Sequence, residues 1–169
     1  YPSDFNLKRP LYLLIERCYN QIERCCNMAD KLSREKRSWN MSRIRGKDTE
    51  IEIKVRKYLF SQGFRFRKNV ADMPGKPDII LPKYKTVIFM HGCYWHRHTG
   101  CKNCTTPNTN REFWLKKFEK NIQNDSKHQQ ELEAAGWKVL ILWECEIEND
   151  FERLMDNLVV ELRCTAQPG

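Results

Sequence analysis

The sequence predicts an α/β domain in which helices flank a mixed β-sheet, and three observations support this. Apolar runs rich in Ile, Val and Leu, which are typical of buried strands, occupy residues 78–81, 86–90 and 137–143. Apolar residues at helical spacing precede, separate and follow these runs. The resulting order of helix, strands, helix, strand and helix is that of an α/β or α+β domain.

The first predicted helix begins at Thr49 and ends at Gly63. Thr49 and Glu52 have the spacing of a capping box, in which two side chains bond to the backbone at the start of a helix. Residues 64–67 (FRFR) alternate between aromatic and basic side chains, as a strand would. We therefore expect this helix to be followed by three or four strands, and these by a helix, a strand and a last helix.

A long helix is predicted from Thr109 to Ala135, where Gly136 stops it, and a last amphipathic helix from near Asn149. Residues 91–110 are crowded with His, Cys and aromatic side chains and show no periodicity. They are predicted to form an irregular loop that carries most of the candidate chemistry.

The composition of the 169-residue chain indicates a polyanionic partner, because 30 Lys and Arg against 22 Asp and Glu give a net charge of +8. No apolar run is long enough to cross a bilayer, and the N-terminus lacks a signal-peptide pattern, so we expect a cytoplasmic protein. In that compartment those of the eight Cys that cluster near His are expected to bind metal rather than to form disulfides.

Three segments are predicted: residues 1–27, interpreted as an N-terminal extension or an upstream artefact, a basic arm at 28–48 and a folded domain at 49–165. Residues 31–47 carry seven Lys and Arg against one acid. With so few apolar residues this arm cannot bury itself, and we expect it to be flexible until it binds a partner. A solvated basic tail is the alternative interpretation.

A zinc site is predicted because residues 93–101 contain two thiols and two imidazoles. Thiolate and imidazole are the usual ligands of tetrahedral structural zinc, which would stabilise a loop with little apolar burial. Cys104 competes with Cys101, and His96 with His98, for a place in this site, and incidental cysteines are the alternative. The predicted ligands are Cys93, His98, Cys101 and Cys145.

A second candidate site combines a carboxylate with two imidazoles. Asp78 stands at the start of a buried strand, where a carboxylate is costly unless a cation such as Mg²⁺ compensates it. His91 and His96 follow the neighbouring strand, and neutral imidazole can accept a proton from water near pH 7. This set suits phosphodiester hydrolysis. In the alternative interpretation, Asp78 only caps a turn and Glu52 only completes its capping box.

Taken together, several motifs in the right order resemble the very-short-patch-repair (Vsr) endonuclease family over residues 38–147. The resemblance implies a restriction-endonuclease-like fold and a strand-specific nick 5′ to the thymine of a T·G mismatch, which arises when 5-methylcytosine deaminates. It also implies a bacterial monomer that acts on mismatched duplex DNA, with mismatch-repair matchmaker proteins as further partners. The motifs are Pro74-Gly75-x-Pro77-Asp78, Val87-Ile88-Phe89-x-His91-Gly92-Cys93-x-Trp95-His96, Phe113-Trp114, Gly136-Trp137-x-Val139-Leu140 and Trp143-Glu144-Cys145.

The same resemblance implies roles for individual residues. Asp78 would bind Mg²⁺ together with the main-chain carbonyl of Met90, and His96 would be the general base. His91 and Glu52 would be supporting active-site groups. The implied ligands of the structural Zn²⁺ are again Cys93, His98, Cys101 and Cys145.

The DNA-binding residues are also implied by the resemblance. Tyr94 and Trp95 would form an aromatic wedge that enters from the major groove beside the mismatch, and Met41 would insert from the minor groove. The charges of the arm, Arg43, Arg45 and Lys47 among them, would bind phosphates.

The chain departs from the family pattern at three places in the loop region. Met90 stands where Thr is usual, Tyr94 replaces a common Phe, and Thr99-Gly100 lengthens the zinc loop. Two other functions are consistent with the sequence. One is a zinc-stabilised DNA-binding module without catalysis, and the other is a restriction-type or junction-resolving nuclease on the same fold.

Overall fold

The computed structural model describes residues 33–43, 48–68 and 70–165. A 3₁₀ turn at Pro82–Tyr84 joins the first two strands. The helices and strands confirm the predicted mixed α/β class. In chain order they are α1 (Arg34–Arg43), α2 (Glu50–Ser61), β1 (Ile79–Leu81), β2 (Thr86–His91), α3 (Arg111–Ala134), β3 (Lys138–Trp143), α4 (Glu144–Asn149) and α5 (Phe151–Thr165).

Within the described residues the strands form one mixed sheet of order β1-β2-β3. β1 is antiparallel to β2, with Ile80 opposite Val87, whereas β3 is parallel to β2, with its Trp143 opposite His91. Parallel neighbours need a long crossover, which the loop after β2 and the helix α3 provide. The carboxyl ends of β2 and β3 therefore lie side by side, next to the start of β1.

The sheet lies between two apolar layers, because successive strand residues point to opposite faces. One face packs against α2 and α5, and the other packs against α3 through Leu132. Ile79 and Ile88 belong to the first layer, and Ile80 and Val87 to the second. The other buried residues of the first layer are Val55, Leu59, Phe64, Leu81, Leu142, Ile147, Met155, Leu158, Val159 and Leu162.

Two details of the elements differ from the prediction. Residues 64–67 form no strand: Arg67 makes one antiparallel bridge to Ile80, and the pairing stops there. The short helix α4, which follows β3 directly and contains Cys145, was not predicted. The last helix begins at Phe151, close to the predicted start near Asn149.

Residues 34–43 of the basic arm form the helix α1. The guanidinium of Arg43 lies 4.3 Å from the centroid of the exposed Trp39 ring, so cation and aromatic surface are presented together. Met41 lies in α1, while Arg45, Lys47 and the predicted extension at residues 1–27 lie outside the described residues. None of the described helices is long and apolar enough to span a membrane.

Candidate active site and metal centre

Two clusters of possible metal ligands lie where β2 ends. His91 is the last residue of β2, and the loop that follows folds back on α3 and α4. One cluster contains His91, His96 and Asp125. The other contains Cys93, His98, Cys101 and Cys145, and in each cluster the ligand atoms all lie within 4.8 Å of one another.

Asp78 lies directly before β1 and beside the end of β2, because these strands are antiparallel. Its Oδ2 accepts a hydrogen bond from the backbone N–H of Met90 at 2.7 Å. Burial raises the pKa of Asp78 to about 6, and the negative charge of Glu52 raises it further. The Met90 hydrogen bond and the charges of Arg56 and His96 lower this pKa, but only in part. A carboxylate in this position is therefore suited to a cation, and a carboxylate and a main-chain carbonyl are oxygen ligands of the kind that Mg²⁺ prefers.

The two histidines of the site are stacked on each other, with ring centroids 3.9 Å apart and an angle of 14° between the rings. His91 is buried, and this burial lowers its pKa to about 4, so that it is neutral at physiological pH. His96 is partly exposed, and its Nδ1 lies 2.6 Å from Oδ2 of Asp125 on α3. A proton shared at Nδ1 leaves Nε2 of His96 free to accept another.

Asp125 was missed by the sequence analysis. It lies 29 residues beyond His96 in the chain, on a long helix with many polar side chains, and nothing local distinguishes it from them. Its spacing of seven residues from both Phe118 and Leu132, the two buried residues of α3, is the one signal that could have found it.

Glu52 is buried at the start of α2, and both of its carboxylate oxygens are occupied. Oε1 accepts from the Thr49 hydroxyl at 2.8 Å, and Oε2 accepts from the backbone N–H of Asp48 at 3.0 Å and from Arg56 at 3.3 Å. The side chain of Thr49 in turn accepts from the backbone N–H of Glu52. Glu52 therefore helps to hold the start of α2, but it accepts from the backbone N–H of Asp48 and not from that of Thr49, as a capping box requires.

The cysteine–histidine cluster is compact enough to hold a metal ion. Nδ1 of His98 lies 3.2 Å from the sulfur of Cys145 and 3.7 Å from that of Cys93. Burial raises the pKa of Cys93 to about 12, so that forming a thiolate there requires a compensating cation. The His98 ring is stacked on Trp143, with centroids 4.2 Å apart, which holds the imidazole in one orientation.

Tyr94 and Trp95 are half-buried in an aromatic cluster with residues of α3. Tyr94 meets Phe118 edge-on at 5.2 Å, and Trp95 lies 6.1 Å from Trp114. The main-chain carbonyl of Trp95 accepts a hydrogen bond from Asn121 at 3.0 Å. The same helix that contacts His96 therefore also supports the predicted wedge, through residues to which the sequence analysis gave no role.

Known proteins that nick DNA are similar to this chain. A family model described as DNA mismatch endonuclease Vsr matches residues 29–103. The type II nicking enzyme V.NmeAIP of Neisseria meningitidis serogroup A is 50% identical over 122 residues, which is 72% of this chain and 86% of the relative. The DNA mismatch endonuclease Vsr of Escherichia coli K12 is 42% identical over 134 residues, which is 79% of this chain and 85% of the relative.

A histidine–carboxylate cluster at the end of a mixed sheet and similarity of this extent define the chain as a DNA endonuclease. The chain belongs to the DNA mismatch endonuclease Vsr family. The family expected from the sequence motifs is thereby confirmed.

Proposed function

We propose that this endonuclease nicks one strand of duplex DNA 5′ to the thymine of a T·G mismatch, with Mg²⁺, and so initiates very short patch repair of deaminated 5-methylcytosine. The observation that carries the proposal is the convergence of Asp78, His96 and Asp125 at the end of β2. This convergence combines a largely buried carboxylate suited to a cation with an imidazole that Asp125 holds, close enough for its charge to act on Asp78. The Escherichia coli relative is named a mismatch endonuclease, which supports the choice of substrate.

His96 is the general base of the proposed reaction. Its Nδ1 is held by Asp125, so that Nε2 faces the proton of the attacking water, and the carboxylate stabilises the imidazolium that forms. His91 stays neutral and stacks on the ring of His96, which limits the rotation of that ring. Glu52 supplies a fixed negative charge beside Asp78.

Asp78 and the main-chain carbonyl of Met90 would hold the Mg²⁺. When bound, this ion supplies Lewis-acid stabilisation of the charge on the scissile phosphate. Cys93, His98, Cys101 and Cys145 would hold one Zn²⁺, with Cys104 left outside the ligand set. When bound, the zinc supplies folding energy to the loop that carries His96.

The proposed contacts with DNA come from the loop after β2 and from the basic arm. Tyr94 and Trp95 would insert beside the mismatch from the major groove. A mismatched base step needs less free energy to unstack than a matched one. Met41 would enter from the minor groove, while Arg43, Arg45 and Lys47 bind phosphates.

The proposal includes the larger organisation of the chain. We assign residues 28–48 to the DNA-binding arm and residues 49–165 to a nuclease domain of restriction-endonuclease-like fold. The protein would act as a monomer on DNA in the bacterial cytoplasm, with mismatch-repair matchmaker proteins as further partners.

Two variants separate this function from that of a DNA-binding module without catalysis. Asp78→Ala and His96→Ala are each expected to abolish nicking of a T·G duplex while leaving most of the binding, measured at one fixed salt concentration. An unmutated chain that binds the T·G duplex but never nicks it with Mg²⁺ would establish the module instead.

A further inference from the structure

Arg56 is a buried cation on α2 that the nuclease chemistry described above does not use. Its side chain is only 8% exposed, and its two terminal nitrogens contact different carboxylates. One lies 2.5 Å from Oδ1 of Asp48, and the other lies 3.3 Å from Oε2 of Glu52. A guanidinium is removed from water at a high free-energy cost unless it is paired, so this arrangement requires both partners.

The contact with Glu52 completes the set of donors around that carboxylate. The Thr49 hydroxyl and the Asp48 backbone N–H also bind Glu52, and both residues lie just before the first residue of α2. Arg56 adds the only positive charge within hydrogen-bond distance of Glu52 among the described residues. The charges of Glu52 and Arg56 also both act on Asp78, so the pair lies within electrostatic range of the carboxylate proposed to bind the metal.

The contact with Asp48 connects the site to the basic arm. Asp48 is the last residue of the arm as assigned above, and its backbone has a φ of +52°, a left-handed conformation that side chains other than Asn, Asp and Gly rarely adopt. Lys68 also contacts Asp48, at 3.3 Å, but this ion pair is exposed and contributes little. Arg56 is therefore the buried partner that holds the junction between arm and domain.

We propose that Arg56 is a positioning residue of the nuclease site, which fixes the Glu52 carboxylate beside Asp78 and ties it to Asp48, where the basic arm joins the domain. This inference rests on the proposed function. Arg56 acts through Glu52 and does not touch the substrate.

The test compares Arg56→Met with Lys57→Met, a matched control that removes one exposed charge from the next position of the same helix. In Mg²⁺-dependent nicking of a T·G duplex, Arg56→Met should lower kcat about tenfold or more with little change in KM. Mn²⁺ affinity, measured by electron paramagnetic resonance without DNA, should not fall, because a cation has been removed from beside the carboxylates. Lys57→Met should match the unmutated chain in all three quantities.

A purely structural role for Arg56 would give a different result. Mn²⁺ affinity and kcat would then fall together, in proportion to the folded fraction measured by urea denaturation, and the proposal would be overturned. Wild-type kcat in Arg56→Met would overturn it as well. If Arg56→Met fails to fold, Arg56→Lys replaces it in the test, because lysine keeps the charge but not the planar guanidinium. The kcat of Arg56→Lys should still drop severalfold. An unchanged kcat in that variant would equally contradict the proposal.

A double-mutant cycle shows whether Arg56 acts through Glu52. Once Glu52→Gln has been made, adding Arg56→Met should lower kcat by less than twofold further. If the two losses multiply instead, Arg56 acts independently of Glu52 and the positioning role is refuted. Failure of the unmutated chain to nick would reject the proposed function itself, which keeps the two outcomes distinct.

Discussion

Replacing Asp78 by Asn should stabilise the metal-free protein at neutral pH while it abolishes nicking. The amide oxygen of Asn can still accept the hydrogen bond from the Met90 N–H, which is 2.7 Å long, so the turn before β1 keeps its anchor. What disappears is the negative charge that burial disfavours. A residue that suits a cation is then a source of instability whenever the cation is absent.

The size of the effect follows from the pKa of Asp78, which burial raises from its ordinary value of 3.8 to about 6. Because the folded pKa lies above the unfolded one, the folded state binds more protons between these values, and stability is lost as the pH rises through them. The loss is absent below pH 3.8, about half developed at pH 5 and complete above pH 6, where it reaches about 3 kcal/mol at most. For a chain of this length that corresponds to roughly 6–12 °C in Tm.

The assay is urea denaturation of zinc-loaded protein in buffer without Mg²⁺, at pH 5 and pH 8. Asp78→Asn should exceed the unmutated chain in unfolding free energy, and by more at pH 8 than at pH 5. Asp72→Asn, which removes the same charge from an exposed position in the same loop, should change little at either pH. Equal stability of Asp78→Asn and the unmutated chain at pH 8 would refute the reasoning.

Three other substitutions test the supporting structure. Asp125→Asn should lower kcat about a hundredfold or more without weakening DNA binding, because the general base loses its orienting charge; a change of less than threefold would exclude that role. Cys93→Ser should lose the bound zinc found by elemental analysis and destabilise the fold by several kcal/mol, whereas full stability without metal would exclude the zinc site. Gly75→Ala should cost about 1–3 kcal/mol more than Gly63→Ala in urea denaturation. Both glycines have positive φ, but an added Cβ meets the His128 side chain at 3.0 Å only at Gly75, so equal losses would contradict this packing.

The site residues that could be predicted from the sequence are close together in the chain, or their position follows from where a strand begins or ends. His91, His96 and the loop ligands lie within eleven residues of one another, and the hydrophobic pattern of β2 indicates where the strand ends. Asp78 could be placed beside them because an acid that follows Pro at the start of a buried strand is unusual. Cys145 was included as a fourth ligand although spacing alone supported it only weakly, and resemblance to a known family strengthened that prediction.

The residues that could not be predicted depend on tertiary packing. Asp125 reaches His96 only because α3 crosses the loop after β2, and a charge on a long helix normally indicates a solvated face. Arg56 has the same appearance in sequence, yet it is buried between two carboxylates. Residues 64–67 alternate correctly for a strand but find only the three residues of β1 to pair with, and one bridge forms.

The central claim is that a carboxylate-held cation and the His96–Asp125 pair cut DNA at a mismatch. The most direct measurement is Mg²⁺-dependent cleavage of a duplex with a single T·G pair and randomised flanks, with each strand labelled separately, beside the matched T·A duplex. We predict one nick, in the thymine strand and on the 5′ side of that thymine, and little cutting of the matched duplex. Equal cutting of both duplexes, or cleavage of both strands, would contradict the claim.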